Sequence, residues 1–133
     1  MTEELVTLET AKQLKDKGFN WKCEHLIDRN KVITKYNLPQ SMSCCTEIDN
    51  ESVEFLCPTL YIAQKWLREI RGVYVYVEPV IGKRWTLSFC DFNVPVEESD
   101  WMEKEINKGN GYKVYVTYEE ALEAGIQEAL KLI

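Results

Sequence analysis

The strongest periodic pattern of apolar residues lies in residues 118–133 of the sequence. Five apolar positions fall on one helical face there: Leu122, Ile126, Ala129, Leu130 and Ile133. Thr117 and Glu120 form the T-x-x-E capping box that begins a helix. Because a strand-like run, 112–116, leads straight into this helix, the pattern predicts a helix lying on a β-sheet.

Gly125 lies beside this apolar face, within the predicted helix. Glycine inside a helix costs about 1 kcal/mol relative to alanine, so its presence needs a packing reason. We expect that the helix backbone approaches the sheet closely at this residue.

Two further stretches combine helical spacing with capping residues. Residues 7–17 begin at the good N-cap Thr7 and stop before Gly18. A second helix is expected after Thr59 and before Gly72. Its buried stripe is predicted to contain Leu60, Ala63, Trp66, Leu67 and Ile70.

Alternating and β-branched runs predict six strands. The three strong ones cover 73–77, 84–92 and 112–116. The three weaker ones cover 21–27, 32–36 and 53–57. Residues 37–51 are expected to be a loop. Residues 93–111 are expected to be a long acidic connection with a helical turn or two. Residues 96–110 are expected to be the least protected part of the chain.

The order of these elements indicates one α+β domain, 1–133, with a mainly antiparallel sheet and helices packed on one face. In the second half the order is α-β-β-β-α. A chain of 133 residues is long enough for a substantial core. The predicted core residues are Trp66, Trp85, Leu122 and Ile126.

The formal charge of −6 is unevenly distributed. Residues 59–92 carry five basic and three acidic residues, whereas 93–133 carry four basic and nine acidic residues. An acidic protein repels phosphate backbones, so nucleic-acid binding is disfavoured except through the basic middle segment. That alternative would use Arg68, Arg71, Lys83 and Arg84.

The sequence lacks the run of about 18 apolar residues that a membrane span needs, and its start lacks the basic and apolar regions of a signal peptide. We therefore expect a cytoplasmic protein that does not bind membranes. The five cysteines are odd in number and irregular in spacing, so they are expected to be free thiols.

No catalytic motif is found. Cys23 and His25 would share a strand face, which permits joint zinc ligation or a Cys–His dyad, but neither the C-x-H spacing nor the flanking residues favour these sites. The 109–111 turn is too short for a phosphate-binding loop. We predict no catalytic residue, no metal and no cofactor. A small enzyme with an unrecognised site stays as an alternative.

One face of the predicted sheet is rich in tyrosine, a residue type enriched at protein interfaces. We predict a partner-binding surface on that face, made by Tyr74, Tyr76, Tyr115, Arg84 and Lys113. The alternative is that the segment 21–57 covers the face and makes the tyrosines part of a second core layer.

The element order of the second half is similar to that of a double-stranded-RNA-binding domain. Tyr118, Glu119 and Glu120 begin the last helix, where that family has basic residues. The similarity is therefore one of topology and does not imply RNA binding.

Three stretches share a pattern with known sequences: AKQLKDKGF at 11–19, PTLYIAQKWLRE at 58–69 and YEEALEAGI at 118–126. Together they resemble a family of short uncharacterised proteins from prophages and mobile elements of gut anaerobic bacteria. The resemblance implies a bacterial cytoplasmic protein of phage or element origin. It implies no reaction, since the family has no established activity. We therefore expect a non-enzymatic accessory protein that binds another protein.

Overall fold

The predicted α+β class with antiparallel strands is confirmed. The computed structural model describes residues 4–108 and 113–133, and the chain forms two compact units, Met1–Tyr61 and Ile62–Ile133. The described residues contain four α-helices and eight strands, and their strand pairs are antiparallel. Tyr112 and the 109–111 turn lie outside the described residues.

Helix α1 covers Leu8–Asp16 in the first unit. Thr7 caps it as predicted, because its hydroxyl oxygen accepts a backbone N–H of the first turn. The chain leaves the helix at Gly18, whose φ of 95° suits glycine. The N–H of the buried Phe19 then donates to Leu14 O at 2.9 Å, which turns the chain back onto the helix.

A three-stranded sheet with the order β2-β1-β5 follows in the first unit. Its strands are β1 (Cys23–Asp28), β2 (Ile33–Gln40) and β5 (Glu54–Leu56). The antiparallel pairing of β1 with β2 confirms the predicted hairpin. The central strand β1 buries Leu26 and Ile27, whereas β2 is an exposed edge.

The loop predicted over 37–51 contains more structure than expected. A 3-10 turn covers Met42–Cys44. Two short strands then form a hairpin, β3 (Glu47–Ile48) and β4 (Glu51–Ser52). Asp49 and Asn50 both have positive φ in its two-residue turn, a conformation that these two residue types tolerate. This hairpin is too short and too polar to show apolar alternation, so the sequence pattern missed it.

Helix α2 covers Leu60–Ile70, directly after Thr59 and before Gly72, as predicted. Four of the five predicted stripe residues are buried: Leu60, Ala63, Trp66 and Leu67. The prediction for Ile70 is wrong, since this last residue of the helix is 57% exposed. The buried stripe therefore ends one turn before the helix does.

The second unit contains a sheet of order β6-β7-β8. Its strands are β6 (Val73–Val80), β7 (Arg84–Asp91) and β8 (Val114–Tyr115). The tight turn between β6 and β7 has positive φ at Gly82 and Lys83. The strands predicted over 73–77 and 84–92 are confirmed, and β6 runs three residues further than its apolar pattern predicts. Of the strand predicted over 112–116, the described residues contain only Val114–Tyr115.

Helix α4 (Tyr118–Leu132) packs on this sheet and begins at the predicted cap, Thr117. A Cβ at Gly125 would lie 2.6 Å from Val75 Cγ1 and 2.9 Å from Leu87 Cδ2. The predicted close approach of helix and sheet at this glycine is confirmed.

Three of the four predicted core residues are buried: Trp66, Leu122 and Ile126. Trp85 is only half-buried, so the prediction for it is wrong. Its ring meets Tyr118 edge-on, with centroids 5.4 Å apart. The sheet is narrow at this point, because β8 pairs with only two residues of β7 in the described chain.

The acidic connection after β7 packs within the second unit over its described residues, 93–108. It contains α3 (Trp101–Ile106), whose Met102 is fully buried. Trp101 Nε1 donates to the buried Asp91 at 2.7 Å, and Asn93 N–H donates to the other oxygen of that carboxylate at 2.9 Å. The sequence showed Asp91 only as a strand end, so this anchor was not predicted.

Side chains also cover the edges of the β6-β7-β8 sheet where the described strands offer no partner. Gln64 Nε2 of α2 donates to Val75 O at 2.7 Å on the outer edge of β6. Glu103 of α3 accepts from Phe89 N–H at 2.6 Å on the outer edge of β7. Covered edges do not pair with other chains. Neither of these two hydrogen bonds covers the end of the sheet at the β6–β7 turn.

Candidate protein-binding surface

The strand register decides which side chains share a face of the β6-β7-β8 sheet. The pair Val75 and Phe89 lies on the face against α4, and the pair Tyr76 and Ser88 lies on the opposite face. We call this second face the outer face. It is formed by Tyr74, Tyr76, Glu78, Val80, Arg84, Thr86, Ser88, Cys90 and Val114.

Tyr74 and Tyr76 stack on each other at the end of the outer face nearest α2. Their ring centroids are 5.0 Å apart at an interplanar angle of 19°, and the Arg68 guanidinium lies 5.7 Å from the Tyr74 centroid. Both tyrosines are half-buried, and Ser88 beside them is buried. Burial raises the pKa of Tyr76, although a hydrogen bond with Ser88 opposes the shift. This end of the face is therefore the more covered one.

The other end of the outer face, at the β6–β7 turn, is open and apolar. A groove of about 530 Å³ is lined there by Pro79, Val80, Ile81, Arg84 and Val114. Ile81 is fully exposed and Val114 is half-exposed. Arg84 adds a cation to this apolar lining. We call this feature the tip groove.

Lys113 is exposed, but it directly precedes Val114 and therefore lies on the same side of the sheet as Tyr115, away from the outer face. Its carbonyl oxygen accepts from Thr86 Oγ1 at 2.9 Å, which holds this part of the chain against β7. Of the two predicted cations, Arg84 lines the tip groove and Lys113 does not.

Tyr115 does not belong to the outer face, so its predicted placement beside Tyr74 and Tyr76 is wrong. It pairs with Trp85, on the face that packs against α4. Burial and the nearby Glu128 carboxylate of α4 raise its pKa. The cause is the register of β8, since a shift of one residue moves every side chain of a strand to the other face.

The four cations of the nucleic-acid alternative do not form one surface. Arg68 and Arg71 lie near the start of β6, whereas Lys83 and Arg84 lie at the turn after its end. The eight residues of β6 separate the two pairs by about 26 Å. The acidic Glu78 lies between them on the outer face. A phosphate backbone needs a more continuous basic track than this.

The described residues contain no group of three His, Cys, Asp or Glu side chains that could hold a metal ion. All five cysteines are free thiols. Cys23 and Cys57 are buried, and their thiols donate to Trp21 O and Val6 O, each at 3.4 Å. Burial raises the pKa of Cys23 to about 12, which disfavours the thiolate that a nucleophile or metal ligand requires.

Sequence reasoning assigned 81–83 to a turn and left Val80 and Ile81 out of the predicted surface. The available signal was Ile81 itself, since tight hairpin turns usually carry Gly, Asn or Asp. A β-branched apolar residue in such a turn is a candidate for contact with a partner.

Comparison with known protein families, curated proteins and solved structures finds no match to this chain. None of the described helices is both long and apolar enough to cross a lipid bilayer. The functional interpretation therefore depends on the geometry of the surface itself.

Proposed function

We propose that this chain is a non-enzymatic accessory protein that binds a partner protein through the tip groove. The observation that carries the proposal is the clustering of exposed Ile81 and Val114 with the half-buried Val80 around the Arg84 cation. Apolar clusters rimmed by polar groups are typical of interaction sites. The resemblance to short prophage and mobile-element proteins supports an accessory role in the bacterial cytoplasm.

The charges around the tip groove define the chemistry of its partner. Arg84 lines the groove, and the exposed Lys83 directly precedes it in the turn. A partner segment that carries an apolar anchor next to a carboxylate matches this arrangement. The anchor would supply most of the binding energy, and the charge pair would orient the segment and accelerate association.

Selection from a displayed peptide library on the immobilised protein tests the proposal. We expect enriched peptides with an apolar residue beside Asp or Glu. Ile81→Asp and Arg84→Glu should each weaken their binding by roughly tenfold or more, measured by calorimetry. Val96→Asp is the matched control, because Val96 is also highly exposed but lies in the connection after β7.

Two results would contradict the proposal. One is that enriched peptides bind Ile81→Asp as tightly as the wild type. The other is that the wild type shifts DNA or RNA in a low-salt gel and Arg84→Glu abolishes the shift, since the tip would then serve nucleic acid.

A further inference from the structure

The edge strand β2 of the first unit is the second unusual surface, and it is independent of the tip groove. β2 carries Ile33, which is 44% exposed, and Leu38, which is 73% exposed. Val32, just before the strand, is 57% exposed. An exposed apolar edge strand is rare, because it invites pairing with another chain.

The backbone of β2 offers hydrogen bonds outward at two residues. Asp28 N–H donates to Val32 O at 3.0 Å, which makes these residues a hydrogen-bonded pair. Such pairs alternate along an antiparallel ladder, so the next one joins Leu26 to Thr34. The N–H and C=O groups of Ile33 and Lys35 therefore point away from β1.

An apolar groove adjoins this edge on the Ile33 side. It has a volume of about 490 Å³, and its lining residues are Leu5, Val6, Thr7, Leu8, Glu9, Ile27, Lys31 and Ile33. Ile33 pairs with Ile27, so both side chains lie on the groove side of the sheet. A residue added opposite Ile33 would place its side chain over this groove, which we call the edge groove.

The stretch of β2 whose backbone groups point outward at regular spacing is short. This limits the length of a strand that can pair with it. Cys23 pairs with Gln40 and His25 with Lys35, so six residues of β2 oppose three of β1 across an irregularity. The ladder is therefore regular only up to Lys35. Bulges and edge prolines such as Pro39 are devices that prevent indiscriminate strand pairing.

The charged residues along β2 distinguish between the chains that could pair with its edge. From Arg29 to Gln40 the chain carries Arg29, Lys31 and Lys35 and no acidic residue. Arg29 pairs with Glu51 and Lys31 pairs with Glu9 of the edge groove, each at 3.7 Å, so Lys35 is the cation of β2 that is left to attract an added strand. A second copy that placed Lys35 opposite Lys35 would bring these two lysines together. An acidic strand would instead be attracted to them, and like-charge opposition across strands is destabilising.

We propose that an extended acidic segment of another protein adds to β2 as a fourth strand, bonded to Ile33 and Lys35 and anchored by an apolar side chain in the edge groove. In such strand addition the main-chain bonds supply affinity, and the pocket selects the side chain. Lys35 selects an acidic residue of the added strand.

The probe for this proposal is a synthetic peptide of about eight residues in which glutamate alternates with valine. A peptide of the same composition with the glutamates grouped at one end is the control. We expect saturable binding of the alternating peptide, with Kd of roughly 10–100 μM by fluorescence anisotropy. The control should bind at least roughly tenfold more weakly.

Two substitutions at Lys35 separate backbone pairing from charge. Lys35→Ala keeps the outward N–H, whereas Lys35→Pro removes it without touching the bonds that Thr34 makes to β1. We expect Lys35→Pro to bind roughly tenfold more weakly than Lys35→Ala. Should Lys35→Pro lose its native circular dichroism, peptide-induced exchange protection of the Ile33 and Lys35 amides in the wild type replaces it as the test.

Three outcomes would overturn the proposal: equal affinity of Lys35→Pro and Lys35→Ala in folded proteins, equal affinity of the two peptides, or no protection of the two amides. A wild-type dimer by sedimentation that Lys35→Pro abolishes would also overturn it, because the occupant would then be a second copy. None of these results depends on Ile81 or Arg84, so the tip groove is tested separately.

Discussion

At the scale of single residues, Gly125 shows how one missing side chain sets the distance between a helix and a sheet. Glycine weakens α4 locally, yet Val75 Cγ1 and Leu87 Cδ2 occupy the space that a Cβ would take. The packing of α4 on the sheet therefore requires glycine here. Protein interiors are packed densely enough that one methyl group matters.

Gly125→Ala should destabilise the protein by about 1–2 kcal/mol, because overpacking outweighs the gain of about 1 kcal/mol in helix propensity. Val75 is β-branched and stiff, so it cannot easily move aside. Urea unfolding gives the free energies. In a Val75→Ala background the same substitution should cost less, and the double-mutant cycle measures this coupling. Additive effects of the two substitutions would show that the Val75 contact is not the cause.

At the scale of elements, the connection between β7 and β8 acts as a substitute for an edge strand. Phe89 N–H donates to the Glu103 carboxylate, and Asp91 N–H donates to Ser99 O at 2.8 Å. Both N–H groups lie on the side of β7 that faces away from β6. The acidic composition of the connection thus has a structural use, since a carboxylate is a strong acceptor for a backbone N–H.

Glu103→Ala should speed the exchange of the Phe89 amide by at least roughly tenfold and leave the Asp91 amide slow. The reason is that Ser99 O still holds the second amide. Hydrogen exchange followed by NMR resolves the two signals. Glu105→Ala is the control, because Glu105 is an exposed carboxylate of the same helix. Fast exchange of both amides in the wild type would mean that α3 is not docked.

At the scale of the whole molecule, an acidic chain carries two local cationic and apolar surfaces. The net charge is −6, yet the tip groove has Arg84 in its lining and Lys83 beside it, and β2 has Lys35. Local charge, not net charge, orients a segment that docks in a groove. Association at both surfaces should therefore slow as salt increases.

Stability of the whole molecule should fall at alkaline pH. Burial raises the pKa of Cys23 to about 12 and that of Cys45 to about 11, from an ordinary value of 9.0. The unfolded chain therefore releases these protons first. The stabilisation is complete below pH 9 and is lost progressively between pH 9 and 12, by at most about 1.4 kcal/mol per pH unit for Cys23 and by less for the more exposed Cys45.

Urea midpoints measured across this pH range check the prediction. Cys23→Ala should lower the midpoint at neutral pH and flatten its decline above pH 9. Cys44→Ala should not flatten it, because hydrogen bonds from Ser41 lower the pKa of that exposed thiol. The idea fails if Cys23→Ala and the wild type decline with the same slope.

The sequence by itself determined the elements whose signals are local. The caps at Thr7 and Thr117, the glycine endings at Gly18 and Gly72, and the apolar spacing of α4 are confirmed. Helical spacing and capping act within a few residues, so they can be read without knowledge of the rest of the chain. The same holds for the close approach at Gly125, because a costly glycine on an apolar helix face implies a neighbour.

Tertiary structure decided everything that depends on register, docking or exposure. The register of β8 places Tyr115 against α4, and the buried Asp91 docks the acidic connection through Trp101. The exposure of Ile81 at the tip and of Ile33 at the edge depends on which neighbours are present. These outcomes are set by residues distant in the sequence. Local periodicity contains no information on them, and the two proposed binding surfaces became visible only in the folded chain.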